Sequence, residues 1–95
     1  MLDTTKVWYL YIIETEGGRL YTGITTDLER RFAEHRAGRG AKYFRSDSPR
    51  RRVYAAAFAD RASASREEYR IKQLPRIEKL ALIQQQPIQN KLSYI

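Results

Sequence analysis

The sequence predicts an α+β domain: a small three-stranded, mostly antiparallel sheet flanked by helices, in the order β-β-α-β-α-α. Three observations carry that expectation. Two runs rich in β-branched and aromatic residues, Val7 to Glu14 and Arg19 to Ile24, are separated by Gly17-Gly18, which reads as a hairpin. Apolar residues at helical spacing follow on either side of a third strand-like run, Val53 to Ala59. At 95 residues, 42% hydrophobic and 31% charged, the chain suits one globular domain with one core.

Each element has its own justification. Val-Trp-Tyr-Leu-Tyr-Ile-Ile-Glu is strand material by side-chain type. The turn decides the register. A Glu16-Gly17-Gly18 loop sets Thr15 opposite Arg19 and Ile13 opposite Tyr21, so Tyr11 and Tyr21 share a face. A Gly17-Gly18 loop would put them on opposite faces. The first arrangement is the expectation. Thr26 is read as the cap of the next helix, with Glu29 completing a capping box. Leu28 and Phe32, one turn apart, mark its buried stripe, and Gly38 its end.

Gly38 to Arg52 reads as a loop holding six cations, Arg39, Lys42, Arg45, Arg50, Arg51 and Arg52, against one acid, Asp47. The alanines of Val53 to Ala59 make a weaker strand. Ser63 is read as capping a helix that runs to about Leu74. Pro75 opens a further helix with Ile77, Leu80, Leu82 and Ile83 as its apolar residues, and Pro87 ends it. The expected domain is therefore 1–95, with its core over about 7–83 and a C-terminal tail over 84–95. Neither repeats nor linkers stand out.

Composition narrows function. With no cysteine and one histidine, His35, a thiolate or histidine-cluster zinc site is excluded. No apolar run approaches the ~20 residues of a membrane span, and Met1 to Lys6 lacks the apolar core of a signal peptide. A cytoplasmic protein is the expectation. The formal net charge is +7 and the sequence pI about 10.0, and the excess is clustered in the 38–52 loop. Phosphate-rich partners explain such clustering, which points to nucleic acid.

Several residues then compete between ordinary and chemical roles. Arg31 and His35 lie three and four residues apart from Leu28 and from each other, so they flank the buried stripe. Arg31 either snorkels past the core or offers its fork of donors to a phosphate. Tyr9, Tyr11 and Tyr21 are sheet filler or a cluster of phenols. On the second helix, Ala64, Ile71 and Leu74 define an apolar face with Glu67 and Glu68 within or beside it. A carboxylate there needs a salt bridge or a metal ion, and periodicity does not choose between the two glutamates.

Their order along the chain is more specific. Tyr9-Leu10-Tyr11, then Tyr21-Thr22-Gly23 ten residues on, then Asp27-Leu28-Glu29-Arg30-Arg31 and His35, then Glu68-Tyr69 resembles the GIY-YIG nuclease superfamily from about Val7 to Ile83. The sequence is most similar to the small stand-alone bacterial branch, the YhbQ-like proteins. That branch shows Tyr21 to Asp27, Gly38 to Tyr43, and Glu68 to Leu74 in this form.

The resemblance implies roles. Tyr11 and Tyr21 match the two motif tyrosines and Gly23 the glycine of the second half. Arg31 matches the phosphate-steadying arginine, His35 the histidine after it, and Glu68 the single metal-binding glutamate, while Glu67 occupies a variable position. One divalent cation, Mg²⁺ or Mn²⁺, is implied on Glu68 and a phosphate oxygen, with a tyrosine helping to activate water. A phenol near pKa 10 is a poor base unless cations stabilise its phenolate. Lys72 joins the basic loop as an expected DNA contact. Two places depart from the pattern: Tyr9-Leu10 replaces Gly-Ile, and Leu80 stands where many members carry an asparagine about twelve residues after the glutamate. Asn90 lies too far along to fill that place, and Pro75 stands where serine is common.

The expectation is thus a metal-dependent endonuclease that hydrolyses DNA with little sequence preference or with structure selectivity, in DNA repair or processing. RNA remains an alternative substrate, and a monomer is expected. A nucleic-acid-binding module with weak or no cleavage is the second reading, and a basic adaptor for a protein partner the third.

Overall fold

The computed structural model describes residues 6–86. Its elements are β1 (Trp8–Thr15), β2 (Leu20–Thr25), α1 (Leu28–Arg36), α2 (Tyr43–Ser46), β3 (Pro49–Phe58), α3 (Arg61–Lys72) and α4 (Arg76–Gln84). The sheet is antiparallel throughout, in the order β2-β1-β3. The α+β class and the succession of long elements match the sequence expectation. The one addition is α2, a single turn inside the segment read as loop.

The central strand explains why its sequence is continuously apolar. β1 is covered on both faces, so neither parity of residues faces water. Leu10 and Ile12 pack with Val53, Tyr54 and Ile71, and α3 docks on that face through Ala64 and Ile71. Tyr11 and Ile13 face the other way, against Phe44 of α2 and against Leu28 and Phe32 of α1. The sheet therefore separates two apolar clusters, with α3 against one and α1 and α2 against the other.

The hairpin takes the three-residue loop. Ile13 pairs with Tyr21 and Glu14 with Leu20, and the Thr15 amide donates to the Arg19 carbonyl at 2.9 Å. Gly18 has φ +86°, a conformation glycine adopts without strain. Tyr11 and Tyr21 consequently share a face.

Helix starts required correction. Asp27, not Thr26, caps α1, accepting from the Arg30 amide at 3.0 Å. Its carboxylate is the stronger acceptor and sits one residue nearer the first turn. Thr25, two residues before the cap, accepts from the Asp27 amide through its Oγ1. Likewise Asp60, not Ser63, caps α3, and Ser63 supplies the amide it holds at 2.8 Å. Pro75 stands just before α4 as its cap residue, not inside its first turn. The third strand begins at Pro49, four residues before the expected Val53, because Glu14 and Thr15 pair with Arg51 and Pro49. Pro87, the expected helix stop, and Asn90 lie outside the described residues.

β3 carries a bulge that matters below. Ile12 pairs with Tyr54 but Ile13 pairs with Arg52, leaving Val53 as the extra residue. Val53 joins the Leu10–Ile12 cluster, and Arg52 turns to the Tyr11 face.

Candidate active site

The site is built at the β2 edge, where a tyrosine from the central strand reaches across its neighbour. Tyr11 pairs with Gly23 in the sheet. A Cβ on Gly23 would lie 2.5 Å from the Tyr11 hydroxyl and 2.7 Å from Cζ, far inside contact distance. The glycine is thus required for space, since its φ is not in the left-handed region. The notch it leaves brings the Tyr11 hydroxyl to the strand edge.

His35, on the inner side of α1, meets that hydroxyl. Its Nε2 lies 2.9 Å from the Tyr11 oxygen, and the ring is 1% exposed. The other nitrogen, Nδ1, accepts from the Ala41 amide at 3.4 Å. That partner places the ring proton on Nε2, so Nε2–H donates to the phenol oxygen. The loop approaches closely because of Gly40: a Cβ there would sit 2.0 Å from Nδ1. Phe44 closes the pocket, its ring centroid 4.4 Å from that of His35, and Tyr21 lies edge-on to His35 at 5.5 Å.

The electrostatics follow from burial. His35 is pushed down to about 4, first by burial and then by the charge of Arg31, so the imidazole is neutral at neutral pH. Burial pushes the Tyr11 phenol up to about 12; Tyr21 adds to the effect, Arg31 opposes it, and Glu68 raises it further. A phenol in this state stays protonated until extra positive charge arrives.

Arg31 is 34% exposed and gives one nitrogen to Glu34 at 2.8 Å. Glu68 and Glu67 go different ways. Glu68 lies four residues after buried Ala64 and three before buried Ile71, on the inner stripe of α3, with its side chain 23% exposed. Its charge bears on Tyr11, and it pairs with Lys72 at 3.1 Å. Glu67 is ion-paired with Arg70 and bears on Tyr54 instead. Among the described residues no three metal-ligating side chains gather. A half-buried carboxylate held only by a lysine fits a weakly bound hard cation whose other ligands are water and substrate oxygens.

The structure therefore brings together Tyr11, Tyr21, Gly23, Arg31 and His35, with the charge of Glu68 bearing on Tyr11 from α3. It distributes the basic residues unevenly. Arg39, Lys42, Arg45 and Arg50 are exposed. Arg51 pairs with Glu14 at 3.0 Å. Arg52 is only 13% exposed; it touches the exposed Glu29 at 3.5 Å, and its Nε is buried without a hydrogen-bond partner. Sequence reasoning missed Gly40 and Phe44, which shape the His35 pocket, and Asp47, which anchors the basic segment. The Asp47 carboxylate accepts from the Thr15 hydroxyl at 2.6 Å and the Gly17 amide at 2.8 Å, tying the hairpin turn to the start of β3. The glycines of Gly38-Arg39-Gly40 were the available signal, but nothing local said that Gly40 made room for His35.

Comparison with known proteins agrees with this arrangement. Residues 7–80 match the family model of the GIY-YIG catalytic domain. A UPF0213 protein of Xanthomonas axonopodis is 48% identical over 86 residues, which is 90% of this chain and 84% of that protein. The UPF0213 protein YhbQ of Escherichia coli is 47% identical over 76 residues, 80% of this chain and 76% of its own. The solution NMR structure of a UPF0213 protein from Bacillus halodurans superposes with a TM-score of 0.56 at 42% identity, covering 84% of this chain and 85% of that one. On the matched domain and on these relatives, the chain belongs to the GIY-YIG family and to its small UPF0213 (YhbQ-like) branch.

Proposed function

We propose that the protein is a divalent-metal-dependent endonuclease that hydrolyses phosphodiester bonds of DNA with little sequence preference, acting as a cytoplasmic monomer in DNA repair or processing. The observation that carries the reading is the Tyr11 hydroxyl, lodged over Gly23 with neutral His35 on it and with Arg31 and Glu68 in electrostatic reach. Each group has a task in hydrolysis. Arg31 offers its second edge to a phosphate oxygen while Glu34 holds the first. Tyr11 is the proton carrier for the attacking water, and the His35 Nε2–H steadies the phenol oxygen as its charge develops. Glu68 holds one cation, Mg²⁺ or Mn²⁺, which supplies charge that acidifies water and neutralises phosphate. That charge is what a phenol near 12 lacks by itself. Tyr21, beside His35, frames the same pocket from β2.

A binding module without cleavage is favoured by one observation. Leu80, at the place of the family asparagine, is 40% exposed on α4 and offers no polar group there. Nicking of plasmid DNA with Mn²⁺ separates the two readings. Wild type should nick, Glu68→Gln should not, and Glu67→Ala should nick normally. Nicking by Glu68→Gln at the wild-type rate would end the one-carboxylate reading. No nicking by any form, with DNA still bound, would favour the binding module. A parallel RNA substrate tests the choice of DNA.

A further inference from the structure

We propose that the open cleft between the N-terminal ends of α1 and α3 is a subsite for the nucleotide flanking the cut, holding its phosphate on Arg30 and Arg61 and its base or sugar on Trp8. The inference rests on the nuclease reading above and adds where the strand runs beyond the scissile bond. The cleft is about 350 Å³ and is lined by Trp8, Thr25, Thr26, Arg30, Arg31 and Arg61, with Glu34 as its one acid. Glu34 is already engaged by Arg31 at 2.8 Å. Neither Arg30 nor Arg61 forms an ion pair within 4 Å among the described residues, so two guanidinium groups face the cleft without a carboxylate of their own.

Continuity with the active site is the second argument. Arg31 lines this cleft and also acts on Tyr11. A strand whose reacting phosphate sits at Arg31 therefore has its neighbouring nucleotide at the mouth of the cleft. The third argument is a local misfit. Arg61 is the first residue of α3, where a cation opposes the helix dipole, and the neighbouring Asp60 carboxylate is engaged as the cap, accepting from the Ser63 amide. Its guanidinium carbon instead lies 5.5 Å from the centroid of the Trp8 ring. An arginine stacked on an indole keeps its N–H edge free for a phosphate, and the indole offers the π-face on which bases stack. The hydroxyl of Thr26 supplies a neutral donor beside them. None of these residues belongs to the basic 38–52 segment.

Trp8 is the only tryptophan in the chain, so its emission reports this cleft alone. The full chain is titrated, without metal to prevent cutting, with an end-labelled single-stranded DNA oligonucleotide. Anisotropy of the label reads binding, and Trp8 emission reads occupancy of the cleft. Expected is a change in Trp8 emission that saturates with the same affinity as the anisotropy. Arg61→Ala and Arg30→Ala, both exposed positions, should each lower the slope of log affinity against log salt by about one. Trp8→Phe, which keeps an aromatic in β1, should weaken binding less than Trp8→Leu, the latter by about tenfold. Circular dichroism confirms that each variant is folded. Binding with unchanged Trp8 emission, or salt slopes unaltered by both arginine variants, overturns the subsite. If wild type still nicks plasmid DNA in that case, the nuclease reading survives; if DNA neither binds nor is cut, both fail.

Discussion

Gly23→Ala tests the site's geometry most directly. The added methyl would lie 2.5 Å from the Tyr11 hydroxyl and 2.7 Å from Cζ, and Tyr11 is 3% exposed with no open space to retreat into. The ring must swing away, and the hydrogen bond to His35 at 2.9 Å is lost with it. Overpacking of this kind costs roughly 1–3 kcal/mol and a buried hydrogen bond about 1 kcal/mol. Replacing glycine by alanine recovers about 0.4–1 kcal/mol through the unfolded chain, because the backbone at Gly23 suits any residue. The net is a destabilisation of roughly 1–3 kcal/mol. For a domain of this size that lowers Tm by roughly 5–20 °C, read by circular dichroism. Nicking should fall on the order of a hundredfold, since the hydroxyl leaves its place. In a Tyr11→Phe background the nearest atom is gone, so the same substitution should cost about 1 kcal/mol less, a coupling read by a double-mutant cycle. A Gly23→Ala protein that is as stable and as active as wild type would refute the argument that this glycine exists for Tyr11.

Other consequences follow from charge and burial. His35 has a folded pKa near 4, below its ordinary 6.5, so the unfolded chain binds the extra proton between those values. Stability should be fully present above about pH 6.5 and decline as pH falls toward about 4; His35→Gln should flatten that decline in denaturant titrations. Asp47 is held below the usual carboxylate range, chiefly by the Thr15 hydroxyl and also by the Gly17 amide, so its contribution is lost only at lower pH, below about its ordinary 3.8. Asp47→Asn should lower Tm and speed proteolysis between Arg39 and Arg50. Replacing the exposed Arg39, Lys42 and Arg45 together by alanine should lower the salt slope of DNA binding by about three, one per phosphate contact. By contrast Arg52→Leu should leave Tm unchanged or raise it, because a buried guanidinium with one weak partner and an unpaired Nε is costly.

Local chemistry was readable from the sequence, and long-range contacts were not. The hairpin register depends on three adjacent residues, Glu16-Gly17-Gly18, and so the shared face of Tyr11 and Tyr21 could be derived. The same holds for the inner stripe of α1. Which glutamate lies nearer the inner stripe of α3 needed more: Glu67 and Glu68 differ by one position, and only the packing of Ala64 and Ile71 fixes the rotation of the helix. The Asp47 anchor joins residues about thirty positions apart, and no periodicity encodes such a pair. Arg52 reads as one of a row of surface cations; its inward turn comes from the bulge at Val53, which depends on how β3 meets β1. The cleft at Trp8 is invisible for the same reason, since Trp8, Arg30 and Arg61 meet only after folding.

The pair Lys72–Glu68 gives the last prediction. The Lys72 ammonium stands 3.1 Å from Glu68 Oε2, on the carboxylate proposed to hold the cation. On the proposed role of Glu68, lysine and metal would compete for one anion, and binding the ion would require the ammonium to move aside. Lys72 is 50% exposed and Glu68 23%, so the pair is screened and worth about 0–1 kcal/mol. Removing the lysine should strengthen the metal by no more than that, up to about fivefold. Lys72 is also an expected DNA contact: half exposed, its ammonium can swing from Glu68 to a phosphate with or without metal, so its removal should weaken DNA binding. The two effects have opposite signs and are separable. In a nicking assay at saturating DNA, Lys72→Met should reach half-maximal rate at a lower Mn²⁺ concentration than wild type, by about twofold to fivefold. In metal-free binding it should show weaker DNA affinity and a salt slope lower by about one. A half-maximal Mn²⁺ concentration that is unchanged or higher, with DNA saturating, would mean that the cation does not sit on Glu68 where the lysine now stands.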